Sequence, residues 1–476
     1  MHPFIGAWIP VVVAVAVLAG CAVNPVTGER QLALISEAQE IQMGREAARQ
    51  VKQTVGLVEN EALQAYVNRI GQELAADSER PSLPWSFAVL DDPTPNAFAL
   101  PGGFIFITRG LLSLLNSEAE LATVLGHEIG HVTARHSVTM LSRAQLAQLG
   151  LTIGSILYPE LGTVRQLAGA GLQLLFLSYG RDAERQADRL GFSYALSEGY
   201  DVRHMAEVFV ALRRAGDLKG RSALPAWLTT HPAPEDRIEA VQERLQNLEG
   251  SLAQAEVGQE QYLQIIEGLT YGQSPQQGFF RDGVFYHPAL GFRFAVPANW
   301  QTQNLARAVV AASPERNAAV ELTLVPDEPA AAARQFLGQQ GLRANATERQ
   351  RIHGVPALVS LFEAQTHQGP IRGYAAFLGY GGETYRFIAY ASAPDFDRYD
   401  ATFEQIISSF APLTDPGILN LQPPQIEIVQ IDESLTLAEF DERYPSTIPL
   451  DELAVINQVA GPDAVLEPGT LVKRVV

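Results

Sequence analysis

The 476-residue chain holds a single cysteine, Cys21. That excludes an intramolecular disulfide framework and any cysteine-rich metal site. A chain of this length can draw its stability from hydrophobic cores instead. Basic residues are scarce too. Lys and Arg number 34 against 53 Asp and Glu, a formal net charge of −19. Nucleic acid is therefore excluded as a partner, because phosphate binding needs clustered basic side chains. Charged residues are only 18% and apolar residues 47%, a balance that builds cores rather than disordered chain. The length predicts about three domains, and no repeat recurs at a fixed period.

Residues 4–20 read FIGAWIPVVVAVAVLAG and carry no charge. The run is short and broken by Pro and Gly for a spanning helix, and it has the length of a signal-peptide core. It ends Leu18-Ala19-Gly20-Cys21, which resembles the lipobox of bacterial lipoproteins. The resemblance implies a signal peptide at 1–20 and lipidation of Cys21. The alternative is an uncleaved N-terminal anchor. Ala22, rather than Asp, follows the cysteine. By resemblance to lipoprotein sorting in Gram-negative bacteria, this places the chain at the periplasmic face of the outer membrane.

The texture of the chain predicts an α+β multidomain protein. A tether at 21–35 leads into a mainly helical domain at 36–250. A linker with one helix follows at 251–283, then a strand-rich α/β domain at 284–414 and a second linker at 415–424. A small α+β module at 425–476 completes the series. Ser36 with Gln39, and Ser117 with Glu120, have the spacing of capping boxes. Helix is predicted from Ser36 to about Leu74 and from Ser117 to about Leu149. Residues 85–90 and 103–107 read as strands separated by a Pro-rich turn.

Residues 127–131 read His-Glu-Ile-Gly-His. On a helix, positions i and i+4 lie about 40° apart, so both imidazoles can reach one ion. Zinc favours such donors and keeps an open position at catalytic sites. Glu128 stands beside them as a base for water. A third ligand is required. The metzincin pattern fails, because Ala134 and Ser137 stand where it needs Gly and His. His136 lies about 180° round the helix from His127 and reads as a buried neighbour rather than a ligand. Glu184 and Asp188 form an i, i+4 pair downstream. One carboxylate could bind metal while the other fixes an imidazole tautomer, or the pair could simply be a solvated helix face.

Four stretches, in order, resemble the zinc metallopeptidase family that includes HtpX, BepA and the CAAX prenyl endoprotease. They are Asn96 to Gly103 followed by Phe104-Ile105-Phe106-Ile107, then His127 to His131, then Glu184-x-x-x-Asp188, then His231-Pro232 with Arg237. The resemblance spans roughly residues 36–250 and implies a zincin-type peptidase domain there. It implies that His127, His131 and Glu184 bind one Zn2+, that Glu128 is the general base and that Asp188 orients a ligand histidine. It makes Gly103, Phe104, Ile105 and Phe106 the active-site edge strand, which would hold extended substrate by β-addition. His231 or Arg237 is the expected donor to the oxyanion.

The apolar run at 149–179 is interrupted by Pro159, Glu160 and Arg165. It reads as a helical hairpin over the cleft, with interfacial membrane insertion as the alternative. Residues 284–414 are similar to PsbP-like domains through Pro297-Ala298-Asn299-Trp300 after a strand. His287, His353 and His367 are scattered there and form no ligand set. Residues 425–476 resemble a LysM-like module, whose true members bind peptidoglycan; partner docking is the alternative.

Together these readings predict a zinc endopeptidase acting on unfolded or misassembled envelope proteins. Peptidoglycan or envelope assembly machinery are further partners. The competing prediction is a lipid-anchored, chaperone-like binding or assembly factor with little turnover.

Overall fold

A computed structural model describes residues 21–143, 179–218, 227, 231, 234–248, 250–305, 308–366 and 369–476. The expected signal peptide at 1–20, nearly all of the apolar run at 149–179, Pro232 and His367 lie outside the described residues. Among the described residues, no helix is long and apolar enough to cross a membrane.

The chain divides into two units. Met1–Gly272 joins Pro424–Val476 in one, and Gln273–Pro423 forms the other. Residues 425–476, expected to stand alone, are thus part of the first unit. Their Phe440, Leu453, Ile456, Val472 and Val475 share one core with Leu63, Val67, Leu121 and Leu125.

In the first unit, Ser36 accepts from the Gln39 amide and the Gln39 side chain accepts from the Ser36 amide. This capping box starts α1 (Glu37–Val55). The helix predicted to run on to Leu74 is broken. Gly56, at φ 88°, ends α1, and Asn60 caps a second helix, α2 (Glu61–Ala76). Leu63, Val67, Ile70 and Leu74 form the buried stripe of α2.

Three strands follow: β1 (Ser86–Leu90), β2 (Ala97–Leu100) and β3 (Phe104–Thr108), in the order β1-β3-β2. β3 runs parallel to β1 and antiparallel to β2. This corrects the expected edge strand. Phe104, Ile105 and Phe106 lie in the middle of the sheet, paired on both sides, and Gly103 sits in the preceding turn at φ 98°. Four residues that read as part of a turn, Ala97–Leu100, form the edge instead.

Ser117 accepts from the Glu120 amide at 3.1 Å and starts α3 (Glu118–Thr133). Every residue of α3 is buried, so it is a central helix with no solvent face. It is interrupted at Ala134, where Arg135 turns into the left-handed region at φ 58°, and helix resumes over residues 136–143. α4 (Arg181–Ser197) crosses α3 at close range. A Cβ on Gly191 would lie 2.6 Å from the His127 amide nitrogen, and one on Gly126 would lie 3.0 Å from Gly191 Cα. α5 (His204–Leu218) also packs on α3, and α6 (Pro234–Gln246) packs on α5.

The second unit is α+β, as expected. Its larger sheet has eight strands, the longest being the antiparallel Val355–Thr366, Gly369–Tyr380 and Glu383–Ser392. A four-stranded sheet and the helices Pro329–Leu337 and Phe396–Ser408 accompany it. Phe285, Phe292, Phe294, Phe387, Phe403 and Phe410 fill its core, with Trp300 standing edge-on to Tyr399 and Phe403.

Candidate metal centre

The near contact of α3 and α4 brings the predicted residues together. Nε2 of His127 and Nε2 of His131 lie 3.0 Å apart. Glu184 places its carboxylate oxygens 3.6 Å from His127 Nε2 and 3.4 Å from His131 Nε2. The His231 Nδ1 lies 3.1 Å from both Glu184 oxygens and 3.2 Å from His127 Nε2. Four donors, one each from His127, His131, Glu184 and His231, fall within 4.8 Å of one another, and all four residues are buried. The sequence reading foresaw three of them as ligands and placed His231 near the cleft.

The outer nitrogens of the two α3 histidines are already engaged. His127 Nδ1–H donates to Asp188 Oδ1 at 2.9 Å, and His131 Nδ1 meets His136 Nδ1 at 2.9 Å. His127 therefore turns its Nε2 lone pair inward, towards Nε2 of His131 and the Glu184 carboxylate. A buried imidazole lone pair beside a second imidazole nitrogen and a carboxylate makes a donor set that suits a metal ion. The nitrogen and carboxylate donors suit zinc. Zinc is the cofactor of this site.

Arg237, expected as a possible donor to the oxyanion, is engaged chiefly by Asp188. Its Nε and Nη2 donate to Asp188 at 2.8 and 2.5 Å, and Nη1 lies 3.4 Å from Glu184 Oε2. Its guanidinium packs against the rings of both Phe209 and Trp227, 4.2 and 4.5 Å from their centroids. Trp227 also stacks on His231. The guanidinium thus holds the carboxylate that holds His127.

Charge follows the same geometry. Burial opposes ionisation of Asp188, yet Arg237 and His127 outweigh it and keep this carboxyl well below the usual range. Glu184 is lowered likewise, its burial outweighed by His231, His127 and Arg237. Glu128 is different. Burial raises its pKa above the ordinary value, against the pull of His231 and His127. It is fully buried, and neither carboxylate oxygen has a hydrogen-bond partner among the described residues.

Sequence reasoning missed Tyr179. Its ring stacks on His131 with centroids 4.0 Å apart, and its hydroxyl meets Ser137 Oγ at 2.7 Å. No local pattern marks a lone tyrosine for such a place. Cys21 lies in a short strand, Cys21–Val23, that pairs with Arg30–Leu32.

Residues 61–245 match the model of peptidase family M48. This part of the chain is similar to the metallopeptidase domains of that family. A putative beta-barrel assembly-enhancing protease of Vibrio cholerae is 34% identical over 214 residues, 43% of this chain and 44% of the relative. The beta-barrel assembly-enhancing protease of Escherichia coli K12 is 30% identical over 231 residues, 46% and 47% of the two chains. The mitochondrial metalloendopeptidase OMA1 of Arabidopsis thaliana is 34% identical over 206 residues, 43% and 38%. The matches span less than half the length of these relatives. Among solved structures, a cyanobacterial PsbP from Synechocystis covers 27% of this chain and 91% of its own, with TM-score 0.24 and 13% identity. That likeness is too slight to bear on residues 284–414.

Proposed function

We propose that the chain is a zinc-dependent endopeptidase that hydrolyses peptide bonds of unfolded or misassembled envelope proteins. The observation that carries this reading is Glu128. It is a buried carboxylate with free oxygens and a raised pKa, on the same helix turn as two metal-ligand histidines. When bound, zinc supplies Lewis acidity to a carbonyl oxygen and to water. Glu128 accepts the proton of the attacking water and passes it to the leaving amine, a role its raised pKa suits. Asp188 fixes the His127 tautomer, and Arg237 fixes Asp188. β2, which packs on α3, is the edge at which an extended substrate can pair.

The substrate class draws support from the names of the bacterial relatives. Attachment through a lipid on Cys21, at the periplasmic face of the outer membrane, extends the same reading. Residues 284–414 as a PsbP-like domain and 425–476 as a LysM-like module belong to it too.

The test is a comparison of the protein lacking residues 1–21 with its Glu128→Gln variant. Both should bind about one zinc, and only the first should cleave an unfolded envelope protein. Stoichiometric zinc without cleavage in either would overturn the reading. It would favour the second one, a binding or assembly factor with little turnover. His231 supports that alternative, because as a fourth donor it closes the position that catalytic zinc sites keep open.

A further inference from the structure

His136 should not be able to touch His131. On a continuous helix, five residues place it about 140° away. It does so because α3 is cut at Ala134 and Arg135 adopts φ 58°. That conformation is costly for a residue with a long side chain. It is held by buried charge. Arg135 Nε donates to Glu40 Oε2 at 3.1 Å and Nη2 to the Ile35 carbonyl at 2.9 Å. Glu40, 1% exposed, also receives Arg80, whose Nη1 donates to the Val132 carbonyl at 3.0 Å near the end of α3. The result turns His136 back on its own helix, with Nδ1 2.9 Å from His131 Nδ1. The opposite nitrogen, His136 Nε2, lies 3.1 Å from Gln186 Oε1, on α4 two residues past Glu184.

With the His131 Nε2 lone pair given to a metal, one arrangement of protons satisfies this chain. His131 turns its Nε2 lone pair inward, so Nδ1 carries the hydrogen. His136 Nδ1 must then accept, which leaves its hydrogen on Nε2. Gln186 must present its carbonyl oxygen to that hydrogen. We propose that Gln186 and His136 form a positioning relay for His131: Gln186 fixes the His136 tautomer, and His136 orients and polarises the ligand imidazole. His127 is backed by a carboxylate and His131 by a neutral imidazole, so the two ligands differ in donor strength. This rests on the reading of His131 as a zinc ligand.

The test is zinc affinity of the full chain, measured by competition with a chromophoric chelator. His136→Ala should weaken zinc binding about 10–100-fold. Gln186→Glu keeps an acceptor for the Nε2–H and should stay close to the parent chain. Gln186→Leu removes the acceptor and should lose about 10-fold. Parent-like affinity in His136→Ala, or equal affinity in the two Gln186 variants, would overturn the relay. If His136→Ala fails to fold, the Gln186 pair alone decides. If the parent chain binds no zinc, the metal reading itself has failed, a different outcome from a relay that makes no difference.

Discussion

Arg237 grips Asp188 through two nitrogens, at 2.8 and 2.5 Å, in a buried pocket lined by the rings of Phe209 and Trp227. Burying both ions is tolerable only because each satisfies the other. Replacing Arg237 by Met leaves Asp188 as an uncompensated buried charge and should cost about 3–5 kcal/mol of stability. The double variant Asp188→Asn with Arg237→Met should recover a large part of that loss. Urea unfolding of the three variants checks this, and strict additivity would contradict it.

Asp188→Asn alone should act on the metal. It keeps the shape but not the charge that raises the donor strength of His127. Zinc affinity should fall about 10–100-fold while secondary structure by circular dichroism is retained.

Glu128→Gln should leave zinc affinity nearly unchanged, since its carboxylate comes within ion-pair distance of His231 alone, at 3.6 Å, among the four donor residues. Turnover of an unfolded substrate should drop by at least about 100-fold, the usual scale for a lost general base.

His231→Ala separates two roles. As a fourth donor it blocks the position a substrate needs, so its removal should raise kcat on a short unfolded peptide. Loss of kcat with unchanged zinc content would instead make it the donor to the oxyanion.

A pH effect is expected far from the zinc. Lys473 donates to the Ser113 and Leu115 carbonyls at 2.8 and 2.9 Å, and Gln458 and the Asn116 amide donate to Glu120 at 2.9 and 2.7 Å. Burial pushes Glu120 up to about 7 and Lys473 down to about 7. Between about 4.5 and 7 the folded Glu120 keeps a proton that the unfolded chain releases, so stability falls as pH rises. Between about 7 and 10.5 the unfolded Lys473 holds a proton that the folded one lacks, so stability rises again. The pair should therefore give a stability minimum near pH 7. In a Glu120→Gln, Lys473→Met double variant, thermal melts should lose that minimum.

Much of the centre was legible because its chemistry is written in local spacing. His127 and His131 need only one helix turn, and Glu184 and Asp188 another. The capping boxes at Ser36 and Ser117 were local for the same reason. What escaped depends on contacts between segments. The order of the three strands is set by packing, so Phe104 to Phe106 looked like an edge and proved central. Periodicity could not show the break at Arg135, because Glu40 and Arg80, distant in sequence, hold it. Nor could it show that Phe440 and Val472 share a core with Leu63, because the whole second unit lies between them in the chain.

That interruption bears on when the site can first form. The zinc helix α3 lies in a core that is completed only by residues synthesised after the entire Gln273–Pro423 unit. Contacts so far apart in sequence close late. A nascent chain would therefore carry its metal ligands for most of its synthesis without the wall that Lys473 and Phe440 provide. The competent fold arrives only once the later segment has docked.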